Sequence, residues 1–424
     1  MRVYLTHLGC RLNESEIEQL AWRFVSRDHE IVANPDAADL CVVNSCTVTG
    51  EAGRKTRRLI RRLGRLNPDA RIAVTGCHAT ISPEELVRLP NVDWVVHNDR
   101  KDALVEIVAG PAAGEQVCQP YPVAPGVLGR TRAFVKAQDG CDNNCSFCVT
   151  TVARGRGRSY PVSQIIAQVQ RLVDVGFREV VLTGVHLGSY GRDFGAKQDL
   201  PGLVQGILAE TDVERLRLSS LEPWDIDPGF FDLWTNDRLC RQLHLPLQSG
   251  SDRILRLMRR RTRTDEFVRL VASARERIPD VALTTDVIVG FPGEGDDDFA
   301  QTYHLVETLR FARVHVFPYS LRPDTPAARM RSQVPKDVKT ARSRSMRRLG
   351  ERLAREYHSA FVGRTLPVLW ELGSDGDLWT GLTDNYLTVK TVTSAQLGNR
   401  VTPAKLVKLK GRELQGLVAS TDWG

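Results

Sequence analysis

Residues 138–150 read QDGCDNNCSFCVT and place Cys141, Cys145 and Cys148 in one short loop with the spacing C-x3-C-x2-C. A chain with nine cysteines in 424 residues would contain this spacing by chance only about 0.004 times. Three thiolates can hold three corners of a four-iron cubane, whose full set of ligands is four. The remaining iron would be open, and an open metal position distinguishes a reactive site from a closed structural one. The alternative is a structural zinc site, with Asp142 or another residue as fourth ligand.

The region from 130 to about 335 alternates short apolar runs with helical patterns such as 163–175 and 264–277. Its predicted strands are Ala133–Ala137, Glu179–Thr183, Arg215–Ser219, Gln242–Leu245, Leu283–Val289 and Arg313–Phe317. Six such units predict a partial, open (β/α)6 barrel, and the cysteine loop follows its first strand. Because barrels carry their active sites at the carboxyl ends of their strands, the loop lies where chemistry is expected.

The regions on either side of this barrel predict two smaller domains. Before it, buried parallel strands are predicted at Val3–Thr6, Leu40–Val43 and Ile72–Thr75, with helices at about 13–26, 50–66 and 83–89. After it come a basic helix at 336–359 and a strand-rich end with Gly-rich turns. We therefore expect an α/β chain with a doubly wound N-terminal α/β domain (1–112), a barrel domain (127–360) and a small all-β barrel (361–424), with a Pro/Gly-rich linker at 109–129.

Composition predicts a soluble, globular chain, because 42% of its residues are hydrophobic and 26% are charged. The opening MRVYLTHLGCRLNESE does not resemble a secretory signal, and no stretch approaches the ~20 apolar residues of a membrane span. Nine cysteines, an odd number with one metal-type cluster, favour a reducing compartment over a disulfide framework. We expect a cytoplasmic protein with no membrane partner.

Positive charge is concentrated in three runs, although the net charge is only +7. These runs lie at 50–66, 256–263 and 336–355. Each run alone is typical of a solvated helix face. Three of them in one chain favour a polyanionic partner.

A second group of three cysteines is predicted in the first domain. Cys10, Cys46 and Cys77 each lie a few residues beyond one of its three predicted strands. Because the carboxyl ends of neighbouring parallel strands converge on one crevice, these thiols are expected to meet in space. The alternative is three buried, inert cysteines. Cys41, Cys118 and Cys240 have no partners by spacing and are interpreted as structural.

These two triads resemble the radical S-adenosylmethionine (SAM) methylthiotransferase family over essentially the whole chain. The terminal segments FVGRTLPVLWE and WTGLTDNYLTVK are similar to its RNA-binding TRAM module. HLGCRLNESE and NSCTVTGEAGRKTRRLIRR resemble the MtaB branch, which modifies threonylcarbamoyladenosine next to the tRNA anticodon. Other branches act on isopentenyladenosine in tRNA or on a ribosomal-protein aspartate. A non-catalytic zinc and RNA-binding protein is a further alternative.

The resemblance implies two [4Fe–4S] clusters, with Cys141, Cys145 and Cys148 at the SAM-binding cluster and Cys10, Cys46 and Cys77 at an auxiliary cluster. It also implies methylthiolation at C2 of the adenine, a tRNA anticodon stem-loop as substrate, and an electron donor such as a flavodoxin or ferredoxin. We expect the chain to act as a monomer.

Two sets of contacts complete the sequence predictions. Small or polar residues after the barrel strands, together with one loop aromatic, are candidate SAM contacts, with ordinary turn residues as the alternative. They are Phe147, Thr183, Gly184, Ser220, Glu222, Gln248 and Gly290. His244 is interpreted as a satisfied core histidine. The candidate RNA contacts are Arg54, Lys55, Arg57, Arg58, Arg61, Arg62, Arg154, Arg156, Lys405 and Lys408.

Overall fold

The computed structural model describes residues 1–46, 50–111, 124–126, 131–195, 198–372 and 376–418. Cys118, most of the predicted linker 109–129 and residues 47–49 of the NSCTVT stretch therefore lie outside the described residues. No helix within the described ranges has both the length and the apolar character needed to cross a bilayer.

The N-terminal domain contains a five-stranded, all-parallel sheet with the strand order β2-β1-β3-β4-β5. Its strands are β1 (Arg2–His7), β2 (Glu30–Ile31), β3 (Leu40–Ser45), β4 (Arg71–Gly76) and β5 (Val92–Val96). Its helices are α1 (Arg11–Val25), α2 (Gly50–Leu66), α3 (Cys77–Ile81), α4 (Pro83–Val87) and α5 (Leu104–Ala109). Val42 packs with Phe24 of α1 on one face of the sheet, and Val43 packs with Ile60 of α2 on the other. The doubly wound prediction is confirmed, although β2 and β5 were not predicted.

The central domain is an open barrel of six parallel strands. The barrel strands are β6 (Arg132–Lys136), β9 (Glu179–Thr183), β10 (Arg215–Leu218), β11 (Gln242–His244), β12 (Ala282–Val289) and β13 (Arg313–Pro318). Between β6 and β9, the short strands β7 (Gln138–Asp139) and β8 (Arg158–Ser159) form an antiparallel pair. Two three-stranded sheets, β6-β9-β10 and β11-β12-β13, are joined by parallel bridges from Leu216 to Leu239 and from Ser220 to His244. Within the described residues β6 and β13 do not pair, so the barrel stays open.

Helices surround this barrel and connect its strands. They are α6 (Thr150–Arg154), α7 (Val162–Asp174), α8 (Leu200–Glu210), α9 (Asp252–Leu257), α10 (Thr264–Arg277), α11 (Asp296–Leu309) and α12 (Lys336–Ser359). Apolar side chains of the helices and strands form one large buried core, which includes Val169 of α7, Val180 of β9 and Phe267 of α10. The predicted barrel is confirmed, and the cysteine loop follows β7 at the carboxyl end of β6.

The C-terminal domain is a closed five-stranded barrel with the order β14-β15-β16-β18-β17. Its strands are β14 (Thr365–Trp370), β15 (Leu378–Thr383), β16 (Thr388–Val392), β17 (Val401–Lys410) and β18 (Glu413–Val418). Trp370 and Trp379 fill its core. Two buried arginines of β10 attach it to the central barrel: Arg215 donates to the carbonyl of Pro367 at 2.9 Å, and Arg217 donates to that of Asp384 at 2.8 Å.

Candidate active site

The first cysteine triad lies at the carboxyl ends of three adjacent parallel strands. Cys10 follows β1 by three residues, and Cys46 and Cys77 directly follow β3 and β4. The chain can bring Cys10 close to Cys46 because Gly9 has φ +114° and a Cβ there would lie 2.6 Å from Cys46 Cβ. The three scattered cysteines of the sequence therefore line one wall of a common cavity.

The second triad lines the same cavity, which has a volume of about 620 Å³. The backbone N–H of Asn143 donates to Cys141 Sγ at 3.4 Å, and that of Thr150 donates to Cys148 Sγ at 3.4 Å. Burial raises the pKa of Cys141 to about 12 and that of Cys145 to about 11. Thiols in such a site ionise when a bound metal supplies positive charge.

The sulfur atoms of each triad are too far apart in this structure for one tetrahedral zinc ion. No disulfide links the eight cysteines that the structure describes. Among the described residues, neither triad has all three sulfurs within 4.8 Å of one another. A tetrahedral zinc with Zn–S bonds of about 2.3 Å would hold its sulfurs only ~3.8 Å apart. Two sets of three thiols fit two iron–sulfur clusters, each with one iron left without a protein ligand.

Six of the seven candidate SAM contacts line the cavity between the triads. They are Phe147, Thr183, Gly184, Ser220, Glu222 and Gln248. Gly290 does not line it. A Cβ at Gly290 would lie 2.1 Å from Cγ of Lys339, so this glycine gives room to α12 and not to a ligand.

Arg154 was wrongly predicted as a phosphate contact. Its side chain is only 2% exposed and lies between the two domains. It donates to Glu16 Oε1 of α1 at 2.8 Å, to Asp139 Oδ1 of the barrel at 2.9 Å and to Asn13 Oδ1 at 2.7 Å. A guanidinium with these partners is not available to RNA.

The network around Arg154 has a net positive charge. Burial alone would raise the pKa of Glu16, but Arg154, Lys101 and Lys136 outweigh burial and hold that pKa well below its ordinary value. With Asp139 also ionised, these two carboxylates face three buried cations, and the half-exposed Arg158 lies 3.9 Å from Asp139. The remaining positive charge lies next to Cys10 and Cys77.

Sequence reasoning missed several polar groups in the cavity. Arg260 donates to Glu222 at 2.6 Å. His244 was expected in the core, but its ring faces the cavity, 3.4 Å from Asp286 Oδ1 and 2.9 Å from Thr284 Oγ1. His315 lies nearby, and one ligand atom from each of His244, Asp286 and His315 lies within 4.8 Å of the others.

The basic residues of α2 form an exposed surface. Thr56, Ile60 and Leu63 are buried, whereas arginines on the opposite side line a shallow groove. These arginines are Arg54, Arg57, Arg58, Arg61 and Arg65. The side-chain hydrogen bond from Lys55 lowers the pKa of Glu51, and Arg347 of α12 adds to the effect, so the two basic helices lie near each other. Arg156, Lys405 and Lys408 are also exposed.

Comparison with known proteins agrees with this site. Residues 135–306 match the Radical SAM superfamily, and residues 2–97 match the Uncharacterized protein family UPF0004. The chain is 36% identical over 417 residues to the threonylcarbamoyladenosine tRNA methylthiotransferase MtaB of Bacillus subtilis (strain 168), covering 95% of this chain and 92% of that protein. The chain belongs to the radical SAM methylthiotransferase family. It uses SAM and two [4Fe–4S] clusters to methylthiolate tRNA.

Two further comparisons place this methylthiotransferase more broadly. It is 38% identical over 378 residues to the tRNA-2-methylthio-N(6)-dimethylallyladenosine synthase of Thermobifida fusca (strain YX), covering 85% of this chain and 76% of that one. The solved structure of the radical SAM methyltransferase TsrM from Kitasatospora setae matches it with a TM-score of 0.59 at 18% identity, covering 77% of this chain and 75% of that one. That second likeness concerns the fold alone.

Proposed function

We propose that this enzyme methylthiolates C2 of N6-threonylcarbamoyladenosine immediately 3′ of the anticodon in tRNA. The observation that carries the proposal is the convergence of both cysteine triads on one cavity. A substrate adenine in that cavity would have a radical source on one side and a sulfur source on the other. The curated relatives that share 36% identity over 95% and 98% of the chain carry the threonylcarbamoyladenosine name, which supports this base over the dimethylallyl one.

The ligand assignment follows from the position of each triad. Cys141, Cys145 and Cys148 would hold the cluster that binds SAM, because they follow the barrel's first strand. Cys10, Cys46 and Cys77 would hold the auxiliary cluster in the N-terminal domain. When bound, SAM and the two clusters supply the hydrogen-abstracting radical and the methylthio group.

The chain's own residues position the reactants and limit the access of water to the cavity. The proposed SAM contacts all line the cavity beside the second triad. They are Phe147, Thr183, Gly184, Ser220, Glu222 and Gln248. Arg260 holds Glu222 in place through its 2.6 Å hydrogen bond. Tyr386 of the terminal barrel closes part of the wall.

The RNA would be held by the exposed basic surfaces of the chain. We assign phosphate contacts to Arg54, Lys55, Arg57, Arg58, Arg61 and Arg62 on α2, and to Arg156, Lys405 and Lys408 elsewhere. An anticodon loop suits such a site, because its unstacked bases can enter a pocket without opening a duplex. The same proposal includes domain boundaries at 112, 127 and 360 and a cytoplasmic location. It also includes a flavodoxin or ferredoxin as electron donor and a monomeric state.

A direct assay tests the substrate. Anaerobically reconstituted enzyme is incubated with SAM, a reductant and either threonylcarbamoylated or dimethylallylated tRNA, and the nucleosides are analysed by mass spectrometry. We expect a methylthio product only from the threonylcarbamoylated tRNA. The Cys141→Ala, Cys145→Ala double variant is the matched control without SAM cleavage. Activity only on the dimethylallylated tRNA would reassign the substrate, and activity only on a ribosomal protein would contradict a tRNA function.

A further inference from the structure

Four arginines line the cavity, and two of them have no carboxylate partner among the described residues. Arg154 and Arg260 form ion pairs with carboxylates at 2.8 Å and 2.6 Å. Arg11 and Arg313 also line the cavity, but within the described part of the chain neither has a carboxylate partner. An unpaired guanidinium facing a cavity is a group that an anionic ligand can complete.

The two unpaired arginines come from different domains. Arg11 lies at the start of α1, and its guanidinium donates to Tyr386 Oη at 2.9 Å, which fixes its orientation. Arg313 begins β13, where it shares the cavity face with His315 and Phe317, while Val314 on the other face packs into the core. Arg313 is exposed, and among the described residues its side chain has no hydrogen bond or ion pair.

The nearby group of His244, Asp286 and His315 could in principle hold a metal ion. Its charges argue against a cation. Burial lowers the pKa of His315 to about 4; Asp286 opposes this shift, while the positive charges of Arg313 and Arg11 add to it, so this ring is neutral at pH 7. Two guanidinium charges then face one carboxylate, Asp286. The excess of one positive charge favours an anion in this part of the cavity.

We propose that Arg11 and Arg313 form a subsite for the carboxylate of the substituent on N6 of the substrate adenosine. This subsite rests on the proposed function and explains the choice of substrate. A threonylcarbamoyl group carries the free carboxylate of threonine, whereas a dimethylallyl group is an uncharged hydrocarbon. Arginine presents paired N–H donors that match a carboxylate, and the added negative charge neutralises the local excess.

The test compares three anticodon stem-loop RNAs that differ in one adenosine: unmodified, N6-threonylcarbamoylated or N6-dimethylallylated. Binding to the reconstituted enzyme is measured by fluorescence anisotropy. We expect the wild type to prefer the threonylcarbamoylated RNA over the unmodified one on the order of tenfold, the effect of a hydrogen bond to a charged group. Arg313→Gln should abolish this preference without changing the affinity for the unmodified RNA, and Arg11→Gln should reduce it.

Two controls separate recognition of the carboxylate from general effects of charge. Arg313→Lys keeps the charge and should retain part of the preference. Arg178→Gln removes an exposed positive charge at the opposite, amino end of β9 and should leave all three affinities unchanged. Equal loss for all three RNAs in Arg313→Gln would identify a phosphate contact and overturn the subsite. A preference that persists in this variant, or is absent from the wild type, would also overturn it.

Failure of the subsite and failure of the proposed function give different results. If wild-type enzyme methylthiolates threonylcarbamoylated tRNA but Arg313→Gln keeps the preference, only the subsite is wrong. If wild-type enzyme converts dimethylallylated tRNA and ignores the threonylcarbamoylated one, the proposed function is wrong as well.

Discussion

Neutralising four arginines on α2 should weaken tRNA binding in a way that depends on salt. The arginines are Arg54, Arg58, Arg61 and Arg62, which are exposed and have no carboxylate partner within the described residues. Arg57 and Lys55 are left intact because they pair with Glu85 at 2.9 Å and Glu51 at 3.0 Å. The buried face of the helix is not touched, so the fold should be preserved.

The magnitude follows from the number of charges removed. Each phosphate contact contributes about 0.7 (single strand) to 0.9 (duplex) to the slope of log affinity against log salt. Replacing all four arginines by Gln should therefore reduce the slope by about 2.8 to 3.6. Between 50 and 200 mM salt, the wild-type affinity should then fall about 50- to 150-fold more than that of the variant.

The assay is a salt titration of tRNA binding followed by fluorescence anisotropy. A control variant with the same change in net charge loses four exposed arginines outside the basic runs, each of which pairs with a carboxylate. They are Arg2, Arg178, Arg269 and Arg277. The control should keep the wild-type slope. Parallel slopes for the α2 variant and the wild type would show that this helix is a solvated face and not an RNA contact.

Three further outcomes are expected. Reconstituted wild-type enzyme should contain about eight irons per chain, and either double variant, Cys141→Ala with Cys145→Ala or Cys10→Ala with Cys46→Ala, about four. Only the first should lose SAM cleavage, and loss in both would contradict separate roles. Arg154→Met should lower the free energy of unfolding by about 3 kcal/mol, because it leaves two buried carboxylates with fewer partners. Denaturation of the apo-protein in guanidinium measures this change. An unchanged transition would contradict a stabilising role for the ion-pair network around Arg154. Arg217→Met should weaken the attachment of the terminal barrel to the central barrel, so that limited proteolysis cuts the chain after α12 faster than in the wild type. A cleavage rate equal to that of the wild type would contradict the anchoring role of Arg217.

Most of the fold follows from local sequence pattern. The six barrel strands were predicted to within a residue or two at each end, because buried parallel strands appear as continuous apolar runs bounded by turns. The two-residue strand β2 has no such run. Strand β15 contains Gly381, whose Cβ would meet Val368 Cγ1 at 2.4 Å, and glycine weakens a strand pattern. Closure of the terminal barrel requires β15 and β18, neither of which was predicted.

The cavity was only partly predictable, since its side chains meet through long-range contacts. The cysteines were recognisable because of their spacing and their places after strands. His244 was misinterpreted because period-two alternation cannot tell which face of a barrel strand lines an open cavity. Arg154 was misinterpreted because its partner Glu16 lies 138 residues away in another domain. Pairings of this kind leave no local signal in a sequence.

The position of Tyr386 changes how truncation experiments should be interpreted. This residue belongs to the terminal barrel, yet it lines the cavity and accepts a hydrogen bond from Arg11 of the first domain. Deleting the terminal barrel would open the reaction chamber and release a cavity arginine, besides removing RNA contacts. Lost activity in such a deletion would not measure tethering of RNA. Likewise, a chimera that exchanges this module between relatives would exchange part of the chamber wall and could change substrate preference along with it.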